Sequence, residues 1–348
     1  WRGGSFPRAR QGPLPRDPKS RVHWPLALRV ADRFTGDYPL AGTYHETRLA
    51  GEMPELVARA GELVSTETGL VGGGSPAVSG VSRFAWVEAN VAAFGALLAP
   101  AEERLAHSRG LGGYVAGRLV AAELGAILGM LSRRVLGQYE LVIPTGDSDA
   151  GDTVFFVGAN VLHIERLHEF RPRDFRFWVA LHECTHRLQF TGVPWLRGYF
   201  LDLVGELVAT SIPEPGRVGR VARELRDAAE AGEPLLGEAG LLGLFATPAQ
   251  RTTLDRVQAL MSLLEGHGHV VMDRIGAREI PGLARMSRVL KQRRRDPRTA
   301  GLLKLVGMEM KFRQYELGEK FIAGVERHAG WEALDRAWSD PENLPTLE

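Results

Sequence analysis

Apolar residues recur every three or four positions along the first third of the chain, which is the period of an amphipathic helix. Such stretches predict helices over residues 23–35, 53–65, 83–98 and 113–136. Residues 119–131 are the most apolar run of the chain, and we expect them to form a buried helix. They fall short of the ~20 residues that span a membrane. Gly117, Gly125 and Gly129 on the helix predicted over residues 113–136 predict a close approach of a neighbouring helix.

The pattern then changes to short runs rich in β-branched and aromatic residues. Residues 139–144 and 153–157 predict two strands joined by a polar turn, that is, a β-hairpin. Pro172 and Asp174 open a helix that follows this hairpin, and Gly192 has the residue type of a helix C-cap.

Helical periodicity continues to the end of the chain, through residues 195–210, 217–231, 249–275, 283–294, 301–329 and 331–338. The predicted fold class is therefore mainly α (α+β), with a small β-hairpin or sheet preceding the helix that begins at Pro172. Residues 1–20 are rich in Arg and Pro and predict a disordered segment. The absence of a long polar linker predicts a single domain over residues 21–348.

The candidate chemistry lies on the helix that begins at Pro172. His182 and His186 are four residues apart, which places both imidazoles on one helical face, where they can bind one zinc ion. Glu183 lies beside them, where a carboxylate acts as a general base in this H-E-x-x-H pattern. Cys184 lies on another side of the helix and is predicted to be a packed core thiol.

A zinc hydrolase needs a third protein ligand. The longer H-E-x-x-H-x-x-G-x-x-H pattern is absent, because Gln189 and Gly192 stand where it has glycine and a third histidine. We favour Glu265, which follows an apolar run and would be costly to bury without a partner. Glu206 and His269 are the alternatives.

Composition narrows the classes of function. The chain has a net charge of +1, a hydrophobic fraction of 44% and one cysteine. This predicts a globular protein in the cytoplasm, with neither nucleic acid nor a membrane as partner. The expected partner is a peptide or a small amide substrate, and no oligomeric state is indicated. Arg313 and Tyr315 are candidate stabilisers of a charged intermediate.

Several blocks of sequence together resemble an actinobacterial family of zincin-like, metalloprotease-like hydrolases, and the likeness extends over roughly residues 22–348. The blocks are residues 135–139, 174–190, 193–197, 264–273, 311–315 with Gly318, and 343–347. The resemblance implies a zincin-like fold, His182, His186 and Glu265 as zinc ligands, and Glu183 as the base. One branch of the family is associated with biosynthesis of the deazaflavin coenzyme.

One position departs from the resemblance. Related zinc peptidases with a glutamate third ligand often carry Asp four residues later, and this chain has His269 there. Three functions therefore stay open: a zinc-dependent hydrolase, a zinc-binding protein without turnover that acts as a binding or assembly partner, and a helical protein without metal.

Overall fold

A computed structural model describes residues 22–105, 111–140, 152–210, 248–294 and 309–347. The chain divides into two compact units, the first comprising Trp1–Pro194 with Val271–Val289 and the second Trp195–Val270 with Leu290–Glu348. The predicted disorder of residues 1–20 and the predicted helix over 217–231 lie outside the described residues, and the single domain over 21–348 stays a prediction.

The first unit contains most of the predicted N-terminal helices and a small sheet. Its elements are α1 (Trp24–Thr35), α2 (Tyr44–Thr68), β1 (Ala77–Val81), α3 (Arg83–Leu105), α4 (Leu111–Leu131), β2 (Gly137–Tyr139), β3 (Thr153–Val157), α5 (Gly158–Leu167) and α6 (Pro172–Gly192). The mostly helical fold with a small sheet, predicted from the sequence, is confirmed.

The sheet has the order β1-β3-β2. β2 and β3 pair antiparallel, with Tyr139 opposite Val154, as the predicted hairpin requires. β2 begins two residues earlier than expected, and residues 141–144 of the predicted strand lie outside the described residues. β1 was not predicted; it pairs parallel with β3, with Ala77 opposite Thr153, and such distant pairing leaves no local signal in the sequence. α5 was also not predicted. It is the helix that joins β3 to α6.

Close packing of α1 on α4 confirms the expectation from the small residues. A Cβ atom added at Gly125 would lie 2.2 Å from the carbonyl oxygen of Ala27, and one at Gly129 would lie 2.5 Å from that of Ala31. The expectation that residues 119–131 form a buried helix is confirmed for one face only. Leu119 is 66% exposed, because only the face bearing the small residues packs against α1. Among the described residues, no helix is long and apolar enough to cross a membrane.

An ion-pair network fixes the first half of α6. Arg176 is 2% exposed, and its guanidinium lies 2.7 Å from Glu165 on α5 and 2.8 Å from Glu52 on α2. Arg176 and Glu165 are both buried, and burial of two charges requires such mutual pairing. The helix ends as Val193 takes the C-cap position, so the prediction that Gly192 is the cap is off by one residue.

The second unit is helical in its described part. Its elements are α7 (Leu196–Thr210), most of α8 (Pro248–Glu279), part of α9 (Leu283–Arg294), α10 (Glu309–Ala329), a 3-10 turn (Trp331–Leu334), α11 (Asp335–Ser339) and a second 3-10 turn (Pro341–Asn343). α8 and α10 approach closely, since a Cβ atom at Gly318 would lie 1.9 Å from the carbonyl oxygen of Ser262.

Candidate metal centre

The two motif histidines lie on the same face of α6, as their spacing predicts. Both are half-buried, and their Nε2 atoms are 3.2 Å apart. Two nitrogens bound at zinc distances to one tetrahedral ion are about 3.3 Å apart. The rings are nearly perpendicular, with centroids 4.5 Å apart. The pair therefore already has the separation that a tetrahedral ion demands.

His186 has a neighbour on its other ring nitrogen. Its Nδ1 atom is 2.9 Å from Oε1 of Gln189, which lies one turn further along α6 and is fully buried. In the sequence, this position was notable only because it lacks the glycine of the longer zinc motif. The polar residue type, three positions after a ligand histidine, was the signal that could have identified it.

Glu183 is 5% exposed and contacts the edge of the sheet. Its Oε2 atom accepts a hydrogen bond of 3.1 Å from the backbone N–H of Tyr139 on β2. A Cβ atom at Gly137 would lie only 2.7 Å from Cγ and 2.8 Å from Oε1 of Glu183. The carboxylate thus fills space that exists because residue 137 has no side chain. Neither neighbour was predicted from the sequence.

Arg187 ties the motif helix to two loops. Its guanidinium lies 2.6 Å from Asp152 and donates hydrogen bonds of 2.8 and 2.9 Å to the carbonyl oxygens of Gly73 and Gly74. Burial alone would lower the pKa of Arg187, but the hydrogen bond and charge of Asp152 outweigh it and raise that pKa. The charged arginine therefore joins α6 to the residue that precedes β3 and to the loop that contains Gly73 and Gly74.

The predicted core thiol is confirmed. Cys184 is 1% exposed, and its Sγ atom lies 3.5 Å from the carbonyl oxygen of Val57. Burial raises the pKa of Cys184 to about 12, so the group is a thiol at neutral pH. It has neither the ionisation nor the access that a nucleophile or metal ligand needs.

Glu265 lies on α8 and is 4% exposed. The next residue, Gly266, is where α8 approaches Gly318 on α10. His267 is 1% exposed and is held between two indole rings, stacked on Trp331 at 5.8 Å and edge-on to Trp338 at 5.1 Å. These contacts fix the turn of α8 that carries the carboxylate.

Among the described residues, one group of side chains could hold a metal ion. One ligand atom from each of His182, His186 and Glu265 lies within 4.8 Å of the other two. Two imidazoles and a carboxylate are a donor set that fits zinc, and three protein ligands leave a further position open for water or substrate.

The alternative ligands are not members of this group. Glu206 is exposed and lies 3.6 Å from Arg256, which is an ordinary surface ion pair. His269 is 3% exposed, and its Nδ1 atom lies 3.1 Å from Oε1 of Glu319 on α10. The acidic residue Glu319 thus contacts His269, which stands where an aspartate was expected. Glu319 lies fifty positions further along the chain than His269.

The two candidate stabilisers of a charged intermediate, Arg313 and Tyr315, belong to α10. Their side chains lie outside the described part of the structure. Their function stays a prediction.

The chain is similar to known proteins over nearly its whole length. The sequence profile of the zincin-like metallopeptidase family matches residues 22–348. The chain is also similar to a crystal structure of a candidate hydrolase with a novel fold from Chloroflexus aurantiacus, with 28% identity, a TM-score of 0.67, and coverage of 93% of this chain and 94% of the other. No curated protein matches. Because the profile covers nearly the whole chain, the protein belongs to the zincin-like metallopeptidase family.

Proposed function

We propose that this protein is a zinc-dependent hydrolase that cleaves a peptide or another small amide, with His182, His186 and Glu265 as the metal ligands. The observation that carries the proposal is the 3.2 Å between the Nε2 atoms of the two histidines, which suits a tetrahedral ion. Family membership and the burial of Glu265 support it further.

Zinc, when bound, polarises a carbonyl group and lowers the pKa of water. The chain supplies the proton transfers. Glu183 is adjacent to His182 on α6, and its carboxylate can take a proton from the attacking water and later pass it to the leaving amine. The Tyr139 N–H fixes one carboxylate oxygen, so the base has a defined position before substrate arrives. Arg313 or Tyr315 would stabilise the developing negative charge.

An actinobacterial origin and a link to deazaflavin coenzyme biosynthesis follow from the resemblance and stay proposals. A location in the cytoplasm follows from the composition of the chain and stays a proposal too.

Metal analysis of the purified protein tests the ligands. We expect about one zinc per chain, lost in His186→Ala and in Glu265→Gln. Two variants are matched controls: His45→Ala removes an exposed histidine, and Glu206→Gln removes the competing carboxylate. Both should retain zinc. If Glu206→Gln loses zinc and Glu265→Gln retains it, the third ligand is Glu206 and not Glu265.

Hydrolysis of a peptide library tests turnover. Glu183→Gln should keep its zinc and lose activity by about 10²–10⁴-fold, the range typical of a general base. Full activity in Glu183→Gln would refute the assignment of the base. A zinc-loaded wild type without any activity on peptides or amides would favour the non-catalytic, zinc-binding alternative.

A further inference from the structure

Gln189 lies three residues after the second motif histidine, on the same face of α6. Its Oε1 atom is 2.9 Å from Nδ1 of His186, and its side chain is fully buried. A buried amide that loses its partner is costly, so this contact is maintained in the folded protein. In the longer zinc motif this position is a glycine, which has no side chain to offer.

The contact determines where the proton of the imidazole lies. A neutral imidazole carries one N–H, and a carbonyl oxygen can only accept. With Oε1 of Gln189 against Nδ1, the proton belongs on Nδ1 and the lone pair on Nε2. That Nε2 atom lies 3.2 Å from Nε2 of His182, on the side where an ion would bind. The opposite amide orientation, with the NH2 group donating to Nδ1, would put the proton on Nε2 and block it.

We propose that Gln189 is the positioning residue of the metal centre: it holds His186 in the Nδ1–H tautomer and fixes the ring so that Nε2 is preorganised to bind the metal. The inference rests on the proposed zinc site and identifies the residue that prepares it. Partners of this kind on the outer nitrogen of a ligand histidine change metal affinity by about 10–100-fold. Gln189 itself does not touch the ion.

The first measurement needs no metal. In metal-free wild-type protein, ¹⁵N chemical shifts of the histidine rings report which nitrogen of His186 carries the proton, with His186→Ala identifying its signals. We expect the Nδ1–H form. A predominant Nε2–H form would overturn the proposal, whatever the protein's affinity for zinc.

The second measurement uses substitutions that distinguish the effect of the hydrogen-bond acceptor of Gln189 from the effect of the volume of its side chain. Gln189→Met keeps the length of the side chain without an acceptor, and Gln189→Glu keeps an acceptor. Thr185→Val is the matched control, since Thr185 is also fully buried on α6 and its hydroxyl donates to the carbonyl oxygen of Leu181. Zinc affinity is measured by competition with a chromophoric chelator.

We expect Gln189→Met to weaken zinc binding by about 10–100-fold, and Gln189→Glu and Thr185→Val to stay within a few-fold of wild type. Gln189→Met should also lose the single tautomer of His186. Equal zinc affinity in Gln189→Met and Thr185→Val would refute the positioning by Gln189 while leaving the zinc site intact. Absence of zinc binding in the wild type would instead refute the proposed function.

Discussion

The contact between Gly137 and Glu183 predicts that one methyl group can impair catalysis without unfolding the protein. In Gly137→Ala, the new Cβ atom would lie 2.7 Å from Cγ, 2.8 Å from Oε1 and 2.9 Å from Cδ of Glu183. Carbon atoms pack at about 3.5–4.0 Å. The carboxylate must therefore retreat by roughly 0.7–1 Å, and its hydrogen bond from the Tyr139 N–H is lost or lengthened.

The free energy of unfolding should fall by no more than about 1–3 kcal/mol, because the three atoms nearest the new Cβ atom all belong to the Glu183 side chain and none to the backbone. Gly137 is also not among the described glycines with positive φ, so alanine fits its backbone. A displacement of about 1 Å in a catalytic group can lower the rate by about 10²-fold. We expect Gly137→Ala to lose about 10–100-fold in hydrolysis, with unchanged zinc content.

The assay compares peptide-library hydrolysis, zinc content and thermal unfolding in parallel. Gly51→Ala is the control, because Gly51 is exposed on α2 and nothing lies within 4 Å of an added Cβ atom. Wild-type activity in Gly137→Ala would refute the idea that β2 positions the base. Loss of zinc together with activity would show that Gly137 acts on the metal ligands instead.

Three further predictions concern stability and reactivity. Gly125→Ala should lower the free energy of unfolding by about 1–3 kcal/mol, because its Cβ atom would meet the backbone of Ala27. The control Gly61→Ala has open space around the new Cβ atom and should raise the free energy of unfolding by up to about 1 kcal/mol. Equal urea midpoints for the two variants would contradict this prediction. Burial raises the pKa of Glu140, so the folded state binds its proton more tightly and ionisation destabilises the fold as pH rises. Glu140→Gln should therefore raise Tm at pH 7, with a difference that shrinks towards pH 4, and a pH-independent difference would speak against burial as the cause. Cys184 should resist iodoacetamide at pH 8 in the native protein and react after denaturation; rapid native labelling would be inconsistent with its burial.

Features encoded by nearby residues were predictable from the sequence. The helical face shared by His182 and His186 follows from a four-residue spacing, and the close approach of α1 to α4 follows from glycines within one stretch. The bounds of α6 were predicted to within a residue, since proline and glycine mark its ends. The small-residue pattern predicted a packing contact but not its partner.

Features that depend on distant pairing were not predictable. β1 has a weak strand composition, and its partner begins 76 positions later, at Thr153. The placement of Gly137 beside Glu183 depends on the register of β2 and on its contact with α6, neither of which a local pattern encodes. The pairing of His269 with Glu319 likewise joins separate helices. Glu265 was favoured from its apolar flank and the resemblance, and its function as a ligand stays a prediction.

The parallel pairing of β1 with β3 has a consequence for how the chain folds. Contacts between residues so far apart form slowly, because closing the intervening loop loses much conformational entropy, whereas helices such as α6 form from local contacts. β2 acquires its place only when β3 is in position. A folding chain therefore presents the two histidines on their helix before the strand that orients Glu183 has docked. We expect the orientation of Glu183, and with it the capacity to turn over substrate, to be among the last properties that the folding chain acquires.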